Sequence, residues 1–205
     1  MQCGFFNGNN NYGQEDLARY FSNIYENGIN ATTSDMGLKV TRYSSTSLRV
    51  AIGFAIINGY FGYQDTTKTI TVSKNATYDR IDRIVVRLDI ASMNVDIFIK
   101  EGTASSKPVA PSLTKTSSIY ELSLAQIYVS SSSGITTVTD ERYTSYCGAI
   151  RPKNLNEFNS MMSGFNEKFN IWFEQQQGKG WRNIFIQSTE PVDAIEGAIW
   201  IKDVT

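Results

Sequence analysis

The stretch Arg83-Ile84-Val85-Val86-Arg87-Leu88-Asp89-Ile90 decides the fold class of this chain. One alternate set of its side chains is wholly apolar, whereas the other set carries two arginines and an aspartate. A period of two predicts a β-strand with one face on a core and the other face in water. Ala91-Ser92-Met93-Asn94 breaks the alternation, which resumes over Val95–Lys100 and so predicts an antiparallel hairpin. The charges here are expected to decorate a sheet rather than to converge on a pocket.

Turn signals separate eight strand candidates, and the region 38–150 is therefore expected to be one all-β domain. Asn58-Gly59 predicts a two-residue hairpin, because both central positions of that turn type need positive φ. Eight short strands with turns between them favour a β-sandwich or a distorted barrel. The candidates are Leu38–Tyr43, Leu48–Ile57, Tyr60–Tyr63, Thr67–Val72, Arg80–Ile90, Val95–Lys100, Ile119–Val129 and Ile135–Val138.

Two helices complete the expected fold, which is mainly β. Residues 1–37 are predicted to form an arm and a short helix from Gln14 to about Tyr25, with four apolar residues at helical spacing. Residues 151–178 predict a long helix with a heptad seam, because its apolar residues follow one another at spacings of 3, 4, 3, 4 and 3. The seam is Leu155, Phe158, Met162, Phe165, Phe169 and Trp172.

The seam has two interpretations. It could pack on the β domain of its own chain, as most short apolar stripes do, or it could join subunits at an oligomer axis. Apart from Met161 and Phe173 the seam is narrow and its flanks are polar, which favours self-association. Its bulky aromatic residues favour a roomy trimeric core over a tight dimer. Residues 179–205 predict a small β tail with strands Trp181–Gln187 and Ala198–Val204, where either a further domain begins or a terminal strand docks on a neighbour.

The residue types present exclude several chemistries. The chain has no histidine, so Ser-His-Asp catalysis, Cys-His catalysis and histidine-ligated metal sites are excluded. Its two cysteines, Cys3 and Cys147, lack the CxxC spacing of zinc and iron–sulfur sites, and free thiols are favoured over a disulfide. No metal and no cofactor are expected. A net charge of −1 gives no electrostatic case for nucleic acid, and no apolar run is long enough to span a membrane.

Two weaker chemical patterns remain. Asp79 and Asp82 are close in sequence, but an arginine follows each of them, so ion pairs at strand ends are favoured over the acid/base pair of a glycosidase. Tyr60, Phe61 and Tyr63 follow the Asn58-Gly59 turn, where aromatic rings could stack on a sugar. A packing patch or a subunit contact is the commoner role of such a cluster.

The opening of the chain, from Met1 to Phe21, is followed by five distinctive motifs over roughly residues 1–150. These are INGY at Ile57–Tyr60, RIDRIVxRLD at Arg80–Asp89, KxGTxxxxPxAPxLT at Lys100–Thr114, IYELxLAxIxV at Ile119–Val129 and TDxR at Thr139–Arg142. In their order and spacing these segments resemble baseplate proteins from tailed phages of Gram-positive bacteria. A helix after the β domain also fits the family, and Ala198-Ile199-Trp200-Ile201 resembles its GDxWI element.

The resemblance implies a non-enzymatic virion protein: the N-terminal module of a baseplate upper protein or receptor-binding protein, made in the bacterial host cytoplasm. Such modules link the receptor-binding apparatus to the tail tip, commonly as homotrimers beside other baseplate proteins, and offer no catalytic residues to carry over. Arg19, Tyr20 and Phe21 are the expected docking residues. Alternatively, the chain is a carbohydrate-binding module that recognises cell-wall glycans through the three rings near the turn, and an acid-based glycosidase ranks last.

Overall fold

The computed structural model describes residues 13–179, 184–192 and 197–203, and of residues 175–179 it describes the backbone alone. These ranges are mainly β with two helices, as the sequence predicts. The elements are α1 (Gln14–Ile24), β1 (Gly28–Ile29), β2 (Val40–Arg42), β3 (Ser47–Val50), β4 (Gly53–Ile57), β5 (Tyr60–Gln64), β6 (Lys68–Thr71), β7 (Arg80–Asp89), β8 (Asn94–Lys100), β9 (Ile119–Ser130), β10 (Gly134–Asp140), α2 (Leu155–Lys179), β11 (Ile184–Gln187) and β12 (Ile199–Lys202).

The chain divides into two compact units, Met1–Lys153 and Asn154–Thr205. In the first unit, β1 to β10 form three antiparallel sheets with the strand orders β1-β4-β5, β2-β3-β6 and β10-β9-β7-β8. Each sheet is open, so the described residues do not form the closed barrel that the sequence left as an alternative. One hydrophobic cluster draws on all three sheets.

The core lies against the apolar face of the four-stranded sheet. The predicted alternation of β7 places Ile84, Val86 and Leu88 on that face, and all three are almost fully buried. In register with Val86 stand Leu122 of β9 and Ile97 of β8, so one apolar row crosses three strands. Cross-strand apolar pairs of this kind are the main local stabilisation of a sheet. The predicted β7–β8 hairpin is confirmed.

The turn between β4 and β5 also holds the first helix. Asn58 has a φ of 51° and Gly59 a φ of 83°, which confirms the predicted hairpin turn. A Cβ atom at Gly59 would overlap the carbonyl oxygen of Ala18, the one buried residue of α1. Because glycine has no side chain, the α1 backbone can lie directly on the turn.

The predicted strand Leu48–Ile57 is wrong in one respect, because it divides into β3 and β4, which belong to different sheets. Between them, the Ala51 N–H donates to the Lys39 carbonyl oxygen at 2.9 Å, and the Ile52 carbonyl oxygen accepts from the Leu38 N–H at 3.1 Å. Gly53 then lies so close to Leu38 that a Cβ atom would clash with its backbone nitrogen. This crossing depends on residues distant in sequence, and no local pattern marks it.

The second unit contains α2 and a small parallel sheet. The long helix is confirmed, but it continues through Gly178 to Lys179 instead of ending at the predicted glycine. Strands β11 and β12 pair in parallel, with Ile184 opposite Ile199, and the Trp200 indole N–H donates to the Gln187 carbonyl oxygen at 3.0 Å. The outer residues of both predicted tail strands lie outside the described residues.

Replacing Gly59 with alanine is expected to destabilise the first unit more than replacing Gly148. Both glycines have a φ near 85°, which costs an alanine about 1–2 kcal/mol. A Cβ atom meets the α1 backbone at Gly59 but nothing within 4 Å at Gly148. We therefore expect Gly59→Ala to cost about 1–3 kcal/mol more than Gly148→Ala in urea unfolding. Equal costs would contradict the contact between α1 and the turn.

Candidate interaction surfaces

The predicted seam of α2 is largely exposed in the single chain. Of its six side chains, Leu155 is half-buried and the other five are exposed. Phe165 keeps 60% of its surface open to solvent and Trp172 keeps 49%. Large apolar side chains that lie side by side on a protein surface usually mark an interaction site. The role of the seam as an oligomer interface stays a prediction.

Aromatic rings stack along the C-terminal half of the seam. Phe169 lies 6.3 Å from Phe165 and 6.0 Å from Phe173 between ring centroids, with interplanar angles of 20° and 14°. Trp172 lies 5.8 Å from Phe169. At about 100° per residue, the seam with its flanking residues Met161 and Phe173 covers about a third of the helix circumference. The stacked rings therefore give α2 one continuous apolar stripe.

The apolar face of α1 also stays exposed. Leu17, Tyr20, Phe21 and Ile24 share this face, and each keeps more than a third of its surface in contact with solvent. Arg19, the third predicted docking residue, lies about 150° around the helix axis from the centre of this face, whereas Tyr20 and Phe21 lie about 50° to either side of it. The structure thus places Tyr20 and Phe21 together, with ring centroids 5.7 Å apart, and Arg19 on another side of α1.

The three rings predicted for sugar stacking divide between the two faces of β5. Tyr60 is half-buried and packs against the core, whereas Phe61 and Tyr63 are 65% and 70% exposed. Successive side chains of a strand point to opposite faces, so the three rings do not form one flat stacking surface. Phe61 instead stacks on Phe54 of β4, with centroids 5.7 Å apart.

A cavity of about 530 Å³ lies beside α1, and we name it the α1 cavity. Three elements line it: the first turns of α1, the start of β5 and the β7–β8 turn. It brings together Arg19 with Tyr60 and Phe61, which the sequence assigned to two different roles. The described residues that line it are Gly13, Gln14, Glu15, Asp16, Arg19, Tyr60, Phe61, Leu88, Asp89, Ile90, Met93, Asn94 and Val95.

The face of β7 that was expected to be wet carries a buried set of ion pairs, so that expectation is wrong. The Glu121 side chain is fully buried and accepts four hydrogen bonds. Arg87 donates to Oε1 at 2.7 and 2.9 Å, and Oε2 accepts from Lys100 Nζ at 2.6 Å and from the Thr114 N–H at 2.7 Å. Buried charges are tolerated when they are paired in this way.

A second carboxylate continues the set across the same face. Arg83 Nη2 donates to Glu141 Oε1 at 3.3 Å, and Gln126 donates to the same oxygen at 2.6 Å. Arg83 also donates to the carbonyl oxygen of Pro111 at 2.8 Å. We name these five charged residues the charge network: Arg83, Arg87, Lys100, Glu121 and Glu141.

The charge network lies beneath residues 102–118, which we name the strap. Contacts from Arg83, Lys100 and Glu121 hold Pro111 and Thr114 of the strap against the sheet. Sequence reasoning missed this cover, although one signal pointed to it. Glu121 is the one acidic residue of β9, and its register partner on β7 is Arg87.

Of the two acids predicted to form ion pairs at strand ends, Asp82 pairs with Arg80 at 2.6 Å, and not with the arginine that follows it. Asp79 instead accepts hydrogen bonds from the Tyr128 hydroxyl at 2.7 Å and from the Ser131 N–H at 2.8 Å. Arg142 is almost fully buried and pairs with Asp140 and Asp35, which links β10 to the loop before β2. A hydrogen bond from the Tyr143 hydroxyl, with one from the Met36 N–H, lowers the pKa of Asp35 to about 2.

Over the described residues, His, Cys, Asp and Glu side chains form no group of three or more that could hold a metal ion. Cys147 is a buried free thiol, and Cys3 lies outside the described residues. None of the described helices has the length and apolar character needed to cross a bilayer.

Comparison with known proteins adds little. No protein-family model matches the chain. No curated protein matches it either. One similar solved structure is the gene 22 product of the Bacillus subtilis phage SPP1, which is 8% identical and aligns with a TM-score of 0.33 over 57% of this chain and 80% of that chain. A likeness at this TM-score supports no inference about this chain.

Replacing Glu121 with glutamine is expected to lower the free energy of unfolding at pH 7 by about 3 kcal/mol. This is the lower end of the range for a broken buried ion pair, since Arg87 and Lys100 keep some contact with water. Glu101→Gln is the matched control, because Glu101 is exposed and its loss should cost no more than about 0.5 kcal/mol. Urea unfolding of both variants measures the difference.

The cost of Glu121→Gln is also expected to depend on pH. Burial by itself would raise the pKa of Glu121, but the hydrogen bonds from Lys100, Thr114 and Arg87 outweigh it and lower the pKa. The stabilisation is therefore complete above the ordinary glutamate pKa of about 4.3 and is lost as the pH falls through the lowered value. The unfolding free energies of parent and variant should converge in acid; a constant difference down to pH 2 would contradict the network.

Proposed function

We propose that this chain is a non-enzymatic structural protein of a phage tail baseplate, and that it links the receptor-binding apparatus to the tail tip. The sequence resemblance over roughly residues 1–150 supports the family. The observation that carries the proposal is the aromatic stripe of α2, which stays exposed in the single chain. A protein that acts by fitting against copies and neighbours needs such a surface.

In this proposal α2 holds the subunits together. Leaving a stripe of rings in water is unfavourable by roughly 25 cal/mol for each Å² of apolar surface, so covering it stabilises an assembly. Phe173 and Met161 flank the seam, and apolar flanks of this kind favour three or more helices over two, because they are covered in the wider bundle. The oligomer proposed is a homotrimer.

The second contact is the apolar face of α1, which we propose as the docking face for another baseplate protein. Tyr20 and Phe21 supply the large rings that dominate many protein interfaces. Leu17 and Ile24 extend the same face. Arg19 is left out of this contact because it lies on another side of the helix and lines the α1 cavity.

The seam predicts different outcomes for two aspartate substitutions on α2. Phe165→Asp places a charge inside the proposed subunit contact and should dissociate the homotrimer into single chains. Ile171→Asp is the matched control: Ile171 is 50% exposed but lies off the stripe, so the parent's mass should be kept. Light scattering measures the masses, and circular dichroism checks the fold. A folded Phe165→Asp variant with the parent's mass would refute the seam.

The place of the chain in the virion can be tested directly. An antibody raised against the first unit should label the tail tips of phage particles purified from the host that expresses this chain. Electron microscopy shows where the label lies. Particles that carry the label elsewhere, or that contain no peptide of this chain by mass spectrometry, would refute the proposal.

A further inference from the structure

The α1 cavity has the volume of a small-ligand site. Its volume of about 530 Å³ lies within the range of roughly 300–1,000 Å³ that is common for such sites. A protein partner would need about 800 Å² of surface on each side, which is better met by the exposed faces of the helices than by a cavity. The cavity therefore favours a small molecule over a protein segment.

One wall of the cavity is an aromatic ring held in place from behind. Phe61 lines the cavity and is 65% exposed, while Phe54 stacks against it at an interplanar angle of 21°. Leu88 and Val95 add apolar surface, and Leu88 is fixed because it belongs to the core. A pre-positioned ring beside apolar side chains suits a flat ligand with C–H groups on one face. Because the ring is already held in place, it loses little conformational freedom on binding.

Hydrogen-bond acceptors that the backbone holds in place line the same cavity as this ring. Asp16 accepts from the Gly13 N–H at 3.0 Å, and Asp89 accepts from the N–H groups of Ala91 and Ser92 at 3.0 and 3.2 Å. Both carboxylates are thus oriented by backbone and still line the cavity. Glu15 adds a third carboxylate, and Arg19, the one cation among the described lining residues, lies 3.8 Å from the Asp16 carboxylate. The cavity is rich in acceptors and carries excess negative charge.

We propose that the α1 cavity binds a short saccharide that is uncharged or carries an amine. The apolar face of a pyranose ring would stack on Phe61, and its hydroxyl groups would donate to the oriented carboxylates. An amine would gain from the excess negative charge, whereas an acidic sugar or a phosphorylated polymer would be repelled. This inference does not rest on the proposed assembly, because it uses neither the seam nor the apolar face of α1.

The test compares Phe61→Ala with Tyr63→Ala in the full chain. Cellobiose and glucosamine serve as neutral and amine-bearing probes, and glucuronic acid as the acidic one, with binding followed by titration calorimetry and saturation-transfer NMR. Phe61→Ala should weaken cellobiose binding about tenfold or more, because stacking is lost. Tyr63→Ala should change it by less than about twofold, because this equally exposed ring of the same strand lies outside the cavity.

A second variant tests the charge of the site. Glu15→Gln removes one lining carboxylate without changing shape, so it should weaken glucosamine binding several-fold and leave cellobiose binding unchanged. Both phenylalanine and glutamate positions are exposed, and circular dichroism should show folded variants. The proposal is overturned if none of the neutral or amine-bearing sugars binds, if Phe61→Ala and Tyr63→Ala behave alike, or if glucuronic acid binds as tightly as cellobiose.

Discussion

The carboxylate of Glu121 is the constraint on which the first unit depends. It lies fully buried between two cations and a backbone N–H, and these belong to β7, β8 and the strap. An unpaired carboxylate there would be strongly unfavourable, so the folded structure needs all three partners in place. The sheet consequently has two buried faces, one packed on the apolar core and the other closed by the strap over the charge network.

This constraint gives physical meaning to the motifs that carry the family resemblance. Arg83 and Arg87 lie in the RIDRIVxRLD strand, Lys100 and Thr114 bound the Pro-rich stretch, and Glu121 lies in the IYEL strand. These three motifs supply the parts of a single ion-pair arrangement. This part of the resemblance therefore concerns how the β unit is built, whereas its opening segment and its last helix contain the surfaces proposed for assembly on α1 and α2.

Local patterns were enough to predict much of the fold. The alternation in β7 and the Asn58-Gly59 turn each depend on neighbouring residues, and both are confirmed. The crossing at Ala51–Ile52 and the cover over Glu121 could not be predicted, because both need partners distant in sequence.

The candidate surfaces were predicted less completely. Alternation along a strand already places Tyr60 and Phe61 on opposite faces of β5, and helical geometry already places Arg19 away from the apolar face of α1. The docking and stacking roles given to these residues stay predictions. The α1 cavity, in contrast, joins three elements of the first unit. It was not visible from the sequence because it depends on where Gly59 lets α1 lie.

In the proposed assembly, α2 packs against α2 of other copies. Disulfide formation at one seam position can detect this contact, because two cysteines pair only when their Cα atoms come within about 7 Å. In a Cys3→Ser background, Phe165→Cys should form linked chains on mild oxidation, whereas Ile171→Cys should not. Single chains from both variants would contradict the account.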